Sequence, residues 1–236
     1  MQFAWDNQIT LWLNGYSRSS YFADCVLNFF CYADLCKGGV LMLLLWWLWF
    51  RRDTSAEQRA RILVSFPAAI AAVTLARALA FALPYRERPL HTAALNLTLP
   101  YTVETDTLMH WSSFPSDHAA LFMAFAAGLV FVSRRLGWMT IAFSVLIILF
   151  PRVYAGIHFT SDVLVGAMIG MVMAWAFNRP RSIRLARQVL PWAERRPEYF
   201  YPAFFLLSYQ TADLFEGFRQ VASLGLKLVH PLAGSV

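Results

Sequence analysis

One short stretch of the chain carries three side chains that together could act on a phosphate group. Arg152, His158 and Asp162 lie close together in sequence, between two long apolar segments. Ionisable groups at or below a membrane surface are costly and usually functional. His158 and Asp162 are four residues apart, so on a continuous helix they share a face, and the carboxylate can hold one imidazole nitrogen. A turn at Gly156 would bring Arg152 back as an anion clamp.

Two further polar groups stand beside apolar segments elsewhere in the chain. Arg86 and Arg88 follow one such segment, and Ser116 and His118 begin another. If these segments are helices of one bundle, their ends can meet the stretch around His158. Ser116 at a helix start would add free backbone N–H groups that favour an anion. Two histidines can divide the work of phosphoryl transfer, because one attacks phosphorus while the other protonates the leaving oxygen.

The composition is that of a membrane protein with several spans. Of the 236 residues, 58% are hydrophobic and 14% are charged, and a spanning helix needs about 20 apolar residues. We therefore predict an all-α, polytopic membrane helix bundle of about six transmembrane helices. It forms a single domain over residues 1–236, with its core motifs between residues 77 and 162. Residues 1–20 are predicted to form an interfacial helix that ends at Asn14 and Gly15.

The apolar segments also predict the orientation of the bundle. The connections at 51–61, 133–136 and 179–197 are rich in arginine, which is typical of cytoplasmic loops. If the spans alternate, the polar loop 84–115 and the 151–160 turn lie on the opposite side. The net charge of +6 is therefore interpreted as a topology signal, and no nucleic-acid partner is predicted. The predicted spans cover residues 22–50, 62–83, 119–132 (with a start as early as Ser116), 138–150, 161–177 and 199–214. For the last of these, Gln210 and Asp213 leave an interfacial helix as the alternative.

These polar groups, in this order, resemble the three motifs of the type 2 phosphatidic acid phosphatase (PAP2) family of integral membrane lipid phosphatases. The resemblance covers roughly residues 75–178. The Phe-Pro-Ser-Asp-His form of the second motif resembles the undecaprenyl-diphosphatase branch of the family. The matched residues are Arg88 and Pro89 in the first motif, Pro115, Ser116 and His118 in the second, and Arg152, His158 and Asp162 in the third.

The resemblance implies a role for each matched residue. His158 is expected to be the nucleophile that forms a phosphohistidine, and Asp162 is expected to orient it. His118 is expected to protonate the departing group. The remaining matched residues that can hold phosphoryl oxygens are Arg88, Arg152 and Ser116.

The chain departs from the family pattern at three positions. Phe81 stands at the lysine position of the first motif, and either Arg77 or Arg86 could supply the missing cation, with Arg86 favoured. Asp117 replaces a glycine, and it either points away from the site or tunes the neighbouring histidine. Pro151 replaces a serine, which removes one possible phosphate donor.

The resemblance implies hydrolysis of a lipid-linked diphosphate, with undecaprenyl diphosphate favoured, by a multi-pass protein of the inner (plasma) membrane whose site faces the periplasm or exterior. No metal-ligand spacing is evident, so a route without metal or cofactor is expected. Membrane lipids and the lipid substrate are the expected partners. Three alternatives remain open. They are another lipid phosphatase (for phosphatidylglycerol phosphate, phosphatidate or lipid A), a lipid phosphotransferase, and a non-catalytic phospholipid binder or transporter.

Overall fold

The computed structural model describes residues 3–215, and this part of the chain is all-α, as predicted. Two π-helical turns, Leu35–Gly39 and Ser144–Leu149, lead into α3 and α7. No strand occurs among the described residues. The α-helices are α1 Ala4–Asn14, α2 Tyr21–Tyr32, α3 Val40–Phe50, α4 Ala56–Ala82, α5 Asp117–Val132, α6 Arg134–Phe143, α7 Phe150–Tyr154, α8 Thr160–Phe177, α9 Pro180–Arg195 and α10 Pro197–Ala212.

Fewer helices are suited to cross a membrane than the sequence indicated. Within residues 3–215, the helical segments Ala56–Ala82, Arg134–Tyr154 and Thr160–Phe177 are long and apolar enough, and Tyr21–Tyr32 with Leu35–Phe50 makes a fourth if that bent pair counts as one span. By this criterion of length and composition, the described residues contain three or four of the about six predicted spans. Helix α5 has 16 residues, or about 24 Å of helix, which is shorter than a hydrocarbon core of about 30 Å. Helix α10 is equally short.

The first predicted span is broken. Helix α2 and the segment Leu35–Phe50 meet at an angle of 73°, and the π-helical turn lies at the break. Sharp kinks are expected at π-bulges and at pairs of small residues, and Gly38 and Gly39 supply the small residues. Gly38 is so close to the end of α10 that a Cβ atom there would lie 2.2 Å from the Ala212 carbonyl oxygen. Before the bend, α2 packs against α7.

The centre of the bundle is formed by α4, α5 and α8, which pack against one another. Every side chain of α5 from Ala119 to Ala126 is buried. On α8, a Cβ atom at Gly166 would lie 2.3 Å from the Ser116 carbonyl oxygen, and one at Gly170 would lie 2.4 Å from that of Ala120. Glycines at this spacing allow membrane helices to approach closely. They bring the start of α5 directly beside α8.

The arginine-rich connection predicted at 179–197 is largely the helix α9. Its buried side chains, Ile183, Ala186, Leu190 and Ala193, recur at the spacing of an amphipathic helix. Arg187 of α9 donates a hydrogen bond of 2.9 Å to Glu57 near the start of α4. Helix α4 has 27 residues and is therefore about 40 Å long. The arginine-rich end is thus separated by the length of α4 from the polar loop that follows it.

The polar loop after α4 is anchored by the first two helices. The buried carboxylate of Asp24 accepts hydrogen bonds from the Tyr154 hydroxyl at 2.5 Å and from the Tyr101 N–H at 3.0 Å. Asn14, the last residue of α1 as predicted, exchanges two hydrogen bonds with the backbone of Thr98, at 2.7 and 3.0 Å. These contacts hold the loop over one end of the bundle.

Candidate active site

The imidazole of His158 is buried between the polar loop, α5 and α8. Its Nδ1 lies 2.9 Å from the Ser113 carbonyl oxygen. A carbonyl can only accept, so Nδ1 carries a proton, and in the neutral imidazole Nε2 keeps its lone pair. Nε2 lies 3.4 Å from the Ser116 hydroxyl, and Nδ1 lies 3.7 Å from Asp162, which is longer than a normal hydrogen bond. Nε2 is therefore in the protonation state that a nucleophile needs.

The carboxylate of Asp162 belongs to a buried group of charges that includes the N-terminal helix. It accepts a hydrogen bond of 2.8 Å from the Phe159 N–H and another from the Arg86 guanidinium. Arg86 also donates to Asp6 at 2.8 Å, and Asp6 accepts from the N–H and hydroxyl of Ser161. Asp6 is 0% exposed. We refer to Asp6, Arg86 and Asp162 as the ion network, in which two carboxylates hold one guanidinium.

Arg88 and Arg152 are bonded in a different way. Arg88 donates to the Ile157 carbonyl at 2.8 Å, and Arg152 donates to the Cys31 carbonyl at 3.0 Å. Both side chains are buried, and neither forms an ion pair with a carboxylate within residues 3–215. Burial lowers the pKa of Arg88 to about 10, so it remains a cation at neutral pH. These two arginines keep positive charge that an anion can neutralise.

His118 lies at the more accessible edge of the site and is held by Asp117. Its Nδ1 is 2.9 Å from one oxygen of Asp117, and the other oxygen accepts hydrogen bonds of 3.3 Å from Arg77. Asp117 thus contacts the neighbouring histidine and does not point away from it. The His118 side chain is 20% exposed. With Nδ1 held by Asp117, a general acid at this position would exchange protons through Nε2.

The predicted phosphate-binding residues occupy three different environments. Ser116 contacts His158, and Arg88 donates to the adjacent Ile157 carbonyl. The Arg152 guanidinium donates to the Cys31 carbonyl, while the backbone carbonyl of Arg152 accepts from the His158 N–H. Arg86 belongs to the ion network, and Arg77 is paired with Asp117. Both candidates for the missing cation therefore already have a carboxylate partner. Phe81, at the lysine position, is 78% exposed, so its side chain does not face the site.

Two contacts of the site were not predicted. Ser113 acts through its backbone carbonyl, which a side-chain pattern does not reveal. Asp6 lies in the helix that the sequence predicts to be interfacial. The spacing of Asp6, Thr10 and Leu13 places all three on the buried side of α1. An acidic residue on that side needs a buried partner, and this spacing is the sequence feature that indicates a role for Asp6.

The fold and this end of the bundle define a polytopic membrane protein that is suited to phosphoryl chemistry. Residues 82–182 match the PAP2 superfamily. This match and the similarity to the BcrC proteins support a PAP2 family member near the branch that contains them. The superfamily implies phosphatase activity.

Two relatives are similar to the chain over different lengths. Undecaprenyl-diphosphatase BcrC of Bacillus subtilis (strain 168) is 22% identical over 167 residues, which is 71% of this chain and 79% of the relative. The bacitracin transport permease protein BcrC of Bacillus licheniformis is 30% identical over 95 residues, which is 39% of this chain and 45% of the relative. No solved structure matches the chain.

Proposed function

We propose that the protein hydrolyses a lipid-linked diphosphate, with undecaprenyl diphosphate as the favoured substrate, to the lipid monophosphate and inorganic phosphate. The observation that carries this proposal is the environment of His158. Its unprotonated Nε2 lies beside the Ser116 hydroxyl, in a site where Arg88 and Arg152 are buried without carboxylate partners. The similarity to the Bacillus subtilis undecaprenyl-diphosphatase supports the choice of substrate.

In the first step, Nε2 of His158 attacks the terminal phosphorus of the substrate. A nitrogen–phosphorus bond forms, and the bond from phosphorus to the bridging oxygen breaks. The lipid monophosphate leaves with that electron pair and takes a proton from His118. Arg88, Arg152 and the Ser116 hydroxyl donate hydrogen bonds to the oxygens on which negative charge is spread in the transition state.

In the second step, water replaces the histidine on phosphorus. His118, now neutral, takes a proton from the water molecule as its oxygen attacks. The nitrogen–phosphorus bond breaks, inorganic phosphate leaves, and Nε2 of His158 regains its lone pair. The hydrogen bond that Nδ1–H of His118 donates to Asp117 at 2.9 Å supports this exchange of protons, because the carboxylate stabilises the imidazolium form.

The site is proposed to face the periplasm or exterior of the inner membrane. The arginine-rich connections are typical of cytoplasmic loops, and the length of α4 separates Glu57 and its partner Arg187 from the end that carries Arg86 and Arg88. This separation supports an active site on the non-cytoplasmic side, where lipid diphosphates are released by polymer assembly.

Phosphate release by the purified protein in detergent tests the proposal. Undecaprenyl diphosphate, phosphatidate and phosphatidylglycerol phosphate are compared, each with and without EDTA. We expect the fastest release from the diphosphate, without a strict requirement for metal. His158→Ala should lower turnover by about 10³-fold or more, because the covalent route is lost. His110→Asn, which changes an exposed loop histidine, should leave turnover unchanged. Undiminished turnover in His158→Ala would refute the mechanism.

A second candidate is a binder or transporter of a phosphorylated lipid, which the name of the Bacillus licheniformis relative supports. This function needs the cations of the site but no covalent bond to His158. His158→Ala therefore separates the two candidates: a binder or transporter keeps its function in this variant, whereas the phosphatase loses turnover and still binds the lipid.

A further inference from the structure

A buried lysine lies at the bend of the first span, where no lysine was predicted to act. Lys37 is in the π-helical turn Leu35–Gly39, and its side chain is 2% exposed. Its Nζ donates a hydrogen bond of 2.8 Å to the Cys31 carbonyl and forms an ion pair of 3.0 Å with Asp34. Asp34 is 58% exposed, so water screens the carboxylate, and it neutralises the lysine poorly.

The Cys31 carbonyl oxygen that accepts from Lys37 also accepts from Arg152, at 3.0 Å. Two cations therefore converge on one neutral oxygen. Arg88 donates to the carbonyl of Ile157, whose N–H donates to the Arg152 carbonyl at 3.0 Å, so Arg88 reaches the turn that begins at Arg152. We refer to Lys37, Arg88 and Arg152 as the cation cluster. Within the described residues, its only ion-pair partner is the exposed Asp34.

A purely structural role for Lys37 would be to satisfy the carbonyl that the break at the end of α2 leaves without a helical partner. That role does not account for the arrangement, because Arg152 already donates to the same oxygen. It also requires no charge, since any hydrogen-bond donor could do it. Like charges placed together in a low-dielectric interior repel each other, and a bound anion removes that cost.

We propose that Lys37 binds a phosphate of the substrate next to the one held by Arg88 and Arg152, and that it makes the site prefer diphosphates to monophosphates. This inference rests on the proposed function. It adds a phosphate-binding cation from the broken first span to those supplied by the polar loop and α7. The bend at Gly38 and Gly39 is what turns this lysine into the bundle beside Arg152.

The inference is tested first by binding, with pyrophosphate and orthophosphate as probes and the full-length protein in detergent. Pyrophosphate should raise the Tm of the wild type more than orthophosphate does at equal concentration. Lys37→Gln keeps a hydrogen-bond donor but not the charge, and it should abolish the difference between the probes. Lys37→Arg should keep it. Arg52→Gln removes an exposed cation from the connection after α3 and should also keep it.

Kinetics provide the second readout. In Lys37→Gln, kcat/KM for undecaprenyl diphosphate should fall about 10- to 100-fold, mainly through KM, and the value for a lipid monophosphate should be unchanged. Lys37→Met removes the charge at similar volume and replaces the glutamine variant if that variant does not fold. A wild type that does not distinguish the two probes, or a Lys37→Gln variant that still does, overturns the inference.

The failure of this inference can be told from the failure of the proposed function. If the wild type hydrolyses lipid diphosphate and Lys37→Gln matches it in both assays, the proposed function stands and the role of Lys37 is refuted. If the wild type releases no phosphate but binds pyrophosphate in a Lys37-dependent way, the proposed function is refuted and the diphosphate site stands.

Discussion

The ion network and the cation cluster lie at the same end of the bundle and are built from similar side chains, yet their charges are balanced differently. In the ion network, two buried carboxylates, Asp6 and Asp162, hold Arg86. In the cation cluster, Arg88 and Arg152 donate to carbonyl oxygens, and within residues 3–215 only Lys37 has a carboxylate partner, which is exposed. The cation of the ion network is neutralised without a ligand, whereas the cation cluster retains positive charge that an anionic ligand can neutralise.

Arg86 and Arg88 illustrate how the partner of a buried arginine determines its role. The two residues are separated by a single position, both side chains are buried, and both leave Nε without a hydrogen-bond partner among the described residues. Their surroundings differ in the groups that face the guanidinium: carboxylates and two phenylalanine rings for Arg86, and backbone carbonyls for Arg88. A carboxylate partner directs an arginine to hold the structure, and a carbonyl partner leaves it able to bind an anion. The following predictions test this distinction, beginning with the largest expected effect.

Arg86→Met should destabilise the protein most. Removal of one partner of a buried ion pair costs about 3–5 kcal/mol, and here it leaves Asp6 and Asp162 without their cation. The measurement is thermal unfolding of the purified protein in detergent. Adding Asp6→Asn to this variant should recover part of the loss, because one uncompensated carboxylate is removed. If Arg86→Met unfolds at the wild-type temperature, the ion network does not have the structural role assigned to it.

Arg152→Met should have the opposite profile, with a large loss of activity and little loss of stability. Removal of one donor to the transition state lowers kcat by about 10²- to 10³-fold. The stability should hold or rise, because an uncompensated buried cation is lost. Phosphate release and thermal unfolding are measured on the same preparation. Destabilisation as large as that of Arg86→Met would remove the distinction between the two groups.

Asp117→Asn should slow turnover by about tenfold or more. The amide keeps the size of the side chain but cannot stabilise a protonated His118. The effect should appear in kcat, and the basic limb of its pH profile should move to lower pH. Arg77→Met removes the hydrogen bonds to the other oxygen of Asp117 and to the Leu214 carbonyl, and it serves as the milder comparison. A loss confined to KM would contradict this role for Asp117.

The smallest effect concerns the pH dependence of His158. Burial lowers the pKa of His158, the Asp162 carboxylate opposes this shift, and the guanidiniums of Arg88 and Arg152 add to it. The attacking imidazole must be neutral, so the acid limb of kcat/KM should lie below pH ~6.5. The unfolded chain binds this proton at higher pH than the native protein, so the free energy of unfolding should fall as the pH drops below that value.

NMR titration of His158 separates this group from the phosphate of the substrate, which titrates in a similar range. A His158 titration at or above pH ~6.5 would contradict the predicted shift.

The sequence contains the spacing of the motif residues, which allowed the all-α class, the span of α4 and the start of α5 at Ser116 to be predicted. It could not show which arginine is neutralised, because Arg86 and Arg88 differ only in tertiary partners. Lys37 was missed because one charge within a long apolar segment was not treated as a break in the span. Helix α9 was missed because its arginines masked the apolar positions between them.

The close contact between α5 and α8 has a consequence for the lipid environment. Ser116 is on one side of that contact and His158 is on the other. At Gly166 and Gly170 the backbone of α8 packs directly against the backbone of α5. Helices tilt to match the hydrophobic thickness of a bilayer, but a pair without intervening side chains moves as one unit. We therefore expect turnover to vary little between short-chain and long-chain phospholipid bilayers, and Gly166→Ala should introduce such a dependence.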